Sequence, residues 1–134
     1  NKVETAVVIE HRPTAIHAEA NERRSQEQNR QVALHRLRIK LAITHRTNPA
    51  SVPSELWQAR TAGGKLSVNG EHDNFPGLLA EALDWTAVAE FDLAGAAESL
   101  GVSSSQLVKL LKIEPEALAL VNRERQARGH SPYR

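Results

Sequence analysis

The apolar pattern of this chain changes period once, and that change limits the folds open to it. Thr5 to Glu10 is β-branched and apolar, and Ala15 to Ala20 alternates Ile16, Ala18 and Ala20 against His17 and Glu19. Both runs read as extended strands. Between them lies His11-Arg12-Pro13-Thr14, where Pro13 fixes φ and has no N–H to give to a ladder. The pair predicts an antiparallel hairpin with a four-residue connection. After Ser25 every sustained period is helical. Ser25 suits an N-cap and Gln28, three residues on, completes a capping box. Leu34, Leu37 and Leu41, joined by Ala33, mark the apolar stripe of a helix that fades near Thr44, ahead of Asn48-Pro49. Arg30, Arg36, Arg38 and Lys40 fall mostly off that stripe.

Residues 47–76 hold no sustained period but contain Pro49, Pro53, Gly63-Gly64, Asn69-Gly70 and Pro76. They read as a linker with a short helical turn around Ser54–Ala59 and a small hairpin at Leu66–Glu71, pinned to a core by Trp57. Four short helices follow: Leu78 to Val88, a second capped by Asp92 and ending at Leu100, a third capped by Ser103 or Ser104 and running to Lys112, and a fourth opened by Pro115 and closing before Gly129. The expected fold class is α+β. A β-hairpin packed with a basic helix would form one unit at 1–46, and a small helical bundle containing a helix-turn-helix-like pair would form another at 77–134.

Composition narrows the chemistry. Aromatic residues make up only 4% of the chain, so the core must be aliphatic. The absence of cysteine excludes disulfides, thiol nucleophiles and cysteine-based zinc sites. His11, His17 and His35 lack metal-ligand spacing, so no metal and no cofactor are expected. No apolar run approaches membrane-spanning length, and a cytoplasmic location is the expectation. Charge is divided unevenly. Residues 1–46 carry nine Lys/Arg against five Asp/Glu, whereas the remainder carries eight against eleven. A polyanionic partner would therefore meet the N-terminal part.

Three motifs give that partner an identity. Asn1, Thr5, Ala6 and Val7 form Asn-x-x-x-Thr-Ala-Val; His11-Arg12-Pro13-Thr14-Ala15-Ile16 follows; Arg24-Ser25-Gln26-Glu27-Gln28-Asn29-Arg30 opens the helix. In this order and at these separations they resemble the catalytic domain of class I peptide chain release factors, over about Asn1 to Leu41. The family commonly has Gly where this chain has Ala15. The resemblance implies a Gly-Gly-Gln loop just before Asn1 that enters the peptidyl transferase centre and hydrolyses the peptidyl-tRNA ester, in termination or in rescue of stalled ribosomes. The catalytic glutamine is not among these 134 residues, so none of them is assigned a catalytic role. The partners implied are the ribosome, through large-subunit ribosomal RNA, and peptidyl-tRNA. Lys2, Arg12, Arg23, Arg24, Gln26 and Arg30 are the residues expected to touch RNA, and Asn1 is expected to anchor the base of the loop. Other readings stand beside these. Ser25 and Gln28 can serve only as caps, and Arg24 can pair with Glu22 or Glu27 on the surface. The short, modestly basic C-terminal end also departs from the long basic tail of small ribosome-rescue members.

From Leu93 to Lys112 the sequence resembles the helix-turn-helix unit of DNA-binding regulators, with Ala97 at the helix contact and Gly101 at the turn. Ser104, Ser105, Gln106, Lys109 and Lys112 would form its reading head, which makes a non-catalytic nucleic-acid-binding or regulatory protein the alternative. Acidic residues on the N-terminal side of the unit oppose phosphate contact, so DNA is disfavoured as a partner and a structural helix pair is preferred.

Overall fold

The computed structural model describes residues 4–134; Asn1, Lys2 and Val3 lie outside the described residues. The architecture is α+β: a two-stranded antiparallel hairpin, one long helix across it, and a run of shorter helices. Strand β1 (Val7–His11) pairs with β2 (Ile16–Ala20) in a register that sets Val7 opposite Ala20 and His11 opposite Ile16. Period-two alternation turns Val7, Ile9, Ile16, Ala18 and Ala20 inward and leaves Val8, Glu10, His17 and Glu19 in solvent. β1 starts two residues later than the apolar run suggests. Thr5 is diverted from the ladder, its hydroxyl donating to the Arg23 carbonyl and its own carbonyl accepting from Asn29. The connection is Arg12–Ala15 rather than His11–Thr14, and Ala15 closes it at φ +58°. That backbone region favours glycine, the residue common at this place in the resemblance noted above.

Helix α1 (Gln26–Thr44) lies over the inward face and runs back along β2. Arg36 donates to the Glu19 carbonyl at 2.9 Å, and Lys40 to that of His17 at 2.7 Å. The Ser25 hydroxyl caps the helix by accepting the Gln28 N–H, but no reciprocal bond from the Gln28 side chain forms among the described residues. The buried stripe is Asn29, Ala33, Leu37 and Ala42. Leu34, expected on that stripe, is 38% exposed. Asn29 sets the rotation of the helix on the sheet, and Leu34 lies about 100° around from Ala33.

The 47–74 region is stitched into the core. Helix α2 (Glu55–Arg60) is capped by Ser54. Trp57 is fully buried, and its indole N–H donates at 2.8 Å to the carbonyl of Leu100. The hairpin expected at Leu66–Glu71 does not form, since no strand occurs there among the described residues. The backbone of that stretch is satisfied from outside. Leu66 N–H donates to the Gln106 side chain, Ser67 N–H to the Arg60 carbonyl, and the Gly70 carbonyl accepts from His35. Gly70 lies so close to Ile113 that an added Cβ would sit 2.6 Å from its Cγ2.

Helices α3 (Phe75–Val88), α4 (Leu93–Leu100), α5 (Ser104–Ile113) and α6 (Pro115–Ala127) complete the fold. α3 begins three residues before Leu78, with both Phe75 and Pro76 buried, and it supplies Leu78, Leu79, Ala82 and Leu83 to the centre. Leu93, Ala97, Leu100, Leu107, Leu111 and Val121 close around it. α4 ends on Gly101 at φ +72°, where the Val102 N–H returns to the Ala97 carbonyl, an αL cap that turns the chain into α5. Ser103 is the residue that caps α5. Asp84 on α3 is nearly buried and accepts both the N–H and the hydroxyl of Thr47. Arg46 lies beside it at 3.2 Å as a charge contact, and burial pulls its guanidinium below the usual arginine range while Asp84 opposes that shift.

Two outcomes follow. Replacing Ala15 with Gly relieves the left-handed residue and raises stability by about 1 kcal/mol in urea unfolding. Trp57→Phe keeps most of the apolar volume but strands the Leu100 carbonyl, and should lower stability by about 1–3 kcal/mol in the same measurement.

Candidate nucleic-acid interface

The end of the hairpin that faces residue 4 is organised by one buried amide. Asn29 is fully buried at the start of the α1 stripe. Its Nδ2 donates to the carbonyls of Thr5 at 2.8 Å and Arg23 at 3.1 Å, while its Oδ1 accepts the Arg23 N–H at 2.9 Å. An amide suits this place because it offers donors and an acceptor together. The side chain thereby holds the loop 21–25, the chain entering β1 and the first turn of α1 in one arrangement. Neighbouring residues in the sequence give Asn29 no role. The available signal was a polar residue heading an i, i+4, i+8 column with Ala33 and Leu37.

The cations around this anchor divide into paired and unpaired. Arg30 makes a two-pronged contact with Glu27, at 2.8 and 2.7 Å. Arg36 does the same with Glu22, at 2.9 and 2.6 Å. The Arg36 hydrogen bonds hold the Glu22 carboxyl down at about 2, and Arg30 likewise lowers that of Glu27. Any stabilisation from the Glu22 pair is therefore present above the ordinary carboxylate range and is lost only as pH falls toward 2. With Glu22 and Glu27 so engaged, Arg24 pairs with neither. Arg23 and Arg24 make no ion pair among the described residues and are exposed, as is Gln26 in the first turn of α1. Two unpaired guanidinium groups beside a helix N-terminus favour an anion.

Arg23, Arg24, Gln26 and Arg30 thus gather at one end of α1. Arg12 does not join them: it sits on the turn at the far end of the hairpin, about 15 Å away by strand rise. Lys2 and Asn1 lie outside the described residues. A polar cleft of about 570 Å³ opens beside the group, between Glu22, Arg23 and Gln28 on one side and His35, Glu71 and Asp73 on the other. In the α4–α5 pair, Gln106 is turned away from any reading head, its carbonyl oxygen accepting from Leu66. Lys109 and Lys112 are exposed.

Asn29→Asp is isosteric but sets a carboxylate against two carbonyls. It should destabilise the fold by about 2–4 kcal/mol in denaturant titration, and a loss below about 0.5 kcal/mol would contradict the anchoring role.

The family model described as the RF-1 domain matches residues 1–72, more than half of the chain and well beyond the last motif at α1. No solved structure matches the chain significantly. No helix among the described residues is long and apolar enough to cross a membrane. With the three motifs in order and the family match continuing through the stitched 47–72 segment, this chain belongs to the RF-1 domain family of class I release factors.

Proposed function

We propose that this protein is a release-factor-like ribosome-binding factor that promotes hydrolysis of the peptidyl-tRNA ester, in termination or in rescue of stalled ribosomes. Family membership supports the release-factor-like role in translation termination and interaction with the ribosome. The observation that carries the finer reading is the Asn29 anchor. It holds Arg23 and Arg24, which make no ion pair among the described residues, at the end of the domain where the chain enters β1, the end at which the family's catalytic motif would lie. Ribosomal RNA phosphates would be held by these two arginines, with Gln26 at the helix start. Arg30 would contribute only by exchanging Glu27 for a phosphate oxygen. Arg12 would touch RNA at a separate place, at the hairpin tip.

In this division of labour the described residues position and the family's Gly-Gly-Gln motif reacts. The glycines let backbone come close to the tRNA end. The glutamine orients water and offers a backbone N–H to the developing oxyanion, so the rate gain comes from proximity and oriented donors rather than from a perturbed acid or base. Lys2 and Asn1 would lie between the two parts, Asn1 at the base of the loop.

The test is peptide release from ribosomes carrying peptidyl-tRNA, using this chain preceded by Gly-Gly-Gln at the family spacing. Release should be lost when that glutamine becomes Ala. Arg23→Ala with Arg24→Ala should weaken ribosome binding and flatten its dependence on log salt by about 2. Release that survives loss of the glutamine contradicts the mechanism. Dependence on a stop codon assigns termination, and independence assigns rescue.

A further inference from the structure

The last residues of the chain fold back instead of trailing away. Gly129 reverses the backbone at φ +80° after α6. Arg125 then donates to the Ser131 carbonyl at 2.9 Å and lays its guanidinium 4.1 Å over the Tyr133 ring. Asn122 closes a pair of hydrogen bonds with the Tyr133 backbone, its Oδ1 accepting at 2.8 Å and its Nδ2 donating at 2.9 Å. Tyr133 is thereby held against the bundle, where it is partly buried in contact with the core.

This clamp sets Tyr133 and Arg134 beside the outer face of α5. Together with Ser104, Ser105, Lys109 and Lys112 they line a cleft of about 410 Å³. That volume is within the range of small-ligand sites, roughly 300–1,000 Å³. Three of the lining residues are cationic and none is acidic. Two serine hydroxyls in the first turn of α5 add donors. Tyr133 is covered on one face by Arg125 and packs partly against the core, and its remaining exposed surface borders the cleft. The chemistry is that of a phosphate with a flat ring attached.

A duplex does not suit this surface. A recognition helix reads the major groove with its outer face clear, and here the tail lies along that face. Gln106, the side chain best able to read a base edge, is engaged with Leu66. A single strand has no such requirement, because its phosphates can follow a row of cations while an unstacked base lies on an aromatic ring. We propose that α5 and the C-terminal tail form a site for single-stranded RNA, separate from the Arg23–Arg24 surface. The phosphates meet Lys109, Lys112 and Arg134, and one base stacks on Tyr133. The preference for RNA over single-stranded DNA rests on the release-factor reading; the site itself does not.

The experiment uses the full chain away from the ribosome, so its outcome is independent of peptide release. The Arg23→Ala, Arg24→Ala background removes the other basic surface. Fluorescence anisotropy of an oligouridylate of about eight nucleotides is followed between about 50 and 200 mM salt. Binding should persist in that background. Lys109→Ala with Lys112→Ala should weaken it about tenfold and reduce the salt slope by about 1.4. Tyr133→Leu should weaken it about fivefold or more. Amide resonances of residues 104–112 should shift on adding the oligonucleotide, a readout that does not depend on any variant folding. Unchanged affinity and slope on losing both lysines would overturn the proposal. So would tighter binding of duplex DNA than of oligouridylate, or shifts confined to other parts of the chain.

Discussion

Everything else in this fold depends on α1 being shared. A two-stranded hairpin has one apolar face and too few strands to stand alone in water. The first half of α1 covers that face with Ala33 and Leu37, while Asn29 ties off the open end. The second half belongs to another core, where Ala42, Ile39 and Ile43 pack with the residues of α3 and its neighbours. A helix of 19 residues is about 28 Å long, enough to bridge both. The Asp84 contacts with Arg46 and Thr47 fix the point at which the chain leaves α1. The hairpin is therefore held through one helix to a core that lies almost wholly elsewhere.

The same helix explains which charges are available to a partner. Its outward face is basic, yet Glu22 and Glu27 neutralise Arg36 and Arg30 locally. Arg36 and Lys40 also reach over the edge of β2 to its carbonyls, serving as much to bind helix to strand as to face solvent. Among the described residues, what is left without an ion pair near the helix start is the exposed Arg23–Arg24 pair. The conformation of this loop is set mainly by the buried Asn29 side chain, with Thr5 on the Arg23 carbonyl and Arg36 on Glu22. That is an economical way to preorganise an exposed basic loop, because the buried amide loses nothing to solvent screening.

Much of the fold was legible from the sequence because it is governed by local rules. Strand alternation around Pro13, the Ser25 and Asp92 caps, the choice between Ser103 and Ser104, and Gly101 at the α4 terminus each act within a few residues. The family motifs were legible for the same reason: they are contiguous. Structure departs from local pattern where distant partners decide. Leu34 is apolar and in phase with a helical stripe, but the rotation of α1 is set by an amide that satisfies backbone groups at Thr5 and Arg23. Leu66–Glu71 has hairpin-like composition, but Gln106, Arg60 and His35 satisfy its backbone instead, and Ile113 presses on Gly70.

The sequence by itself determined the N-terminal hairpin, the order of the helices and the family, since periodicity, caps and motif spacing are properties of neighbours along the chain. Tertiary structure alone decided which charges are free and which side chains are structural. Arg30 has Glu27 three residues before it on α1, a spacing the sequence itself shows, but only the fold brings Arg36 onto Glu22 and leaves Arg24 without an ion pair among the described residues. The C-terminal end shows the same limit. Its arginines read as a basic tail, yet Arg125 is spent holding Ser131 and Tyr133, and the tail becomes one wall of a cleft on α5. Contacts as distant in sequence as Glu22–Arg36 and Arg125–Phe91 depend on distance in space, and no local pattern in the chain encodes them.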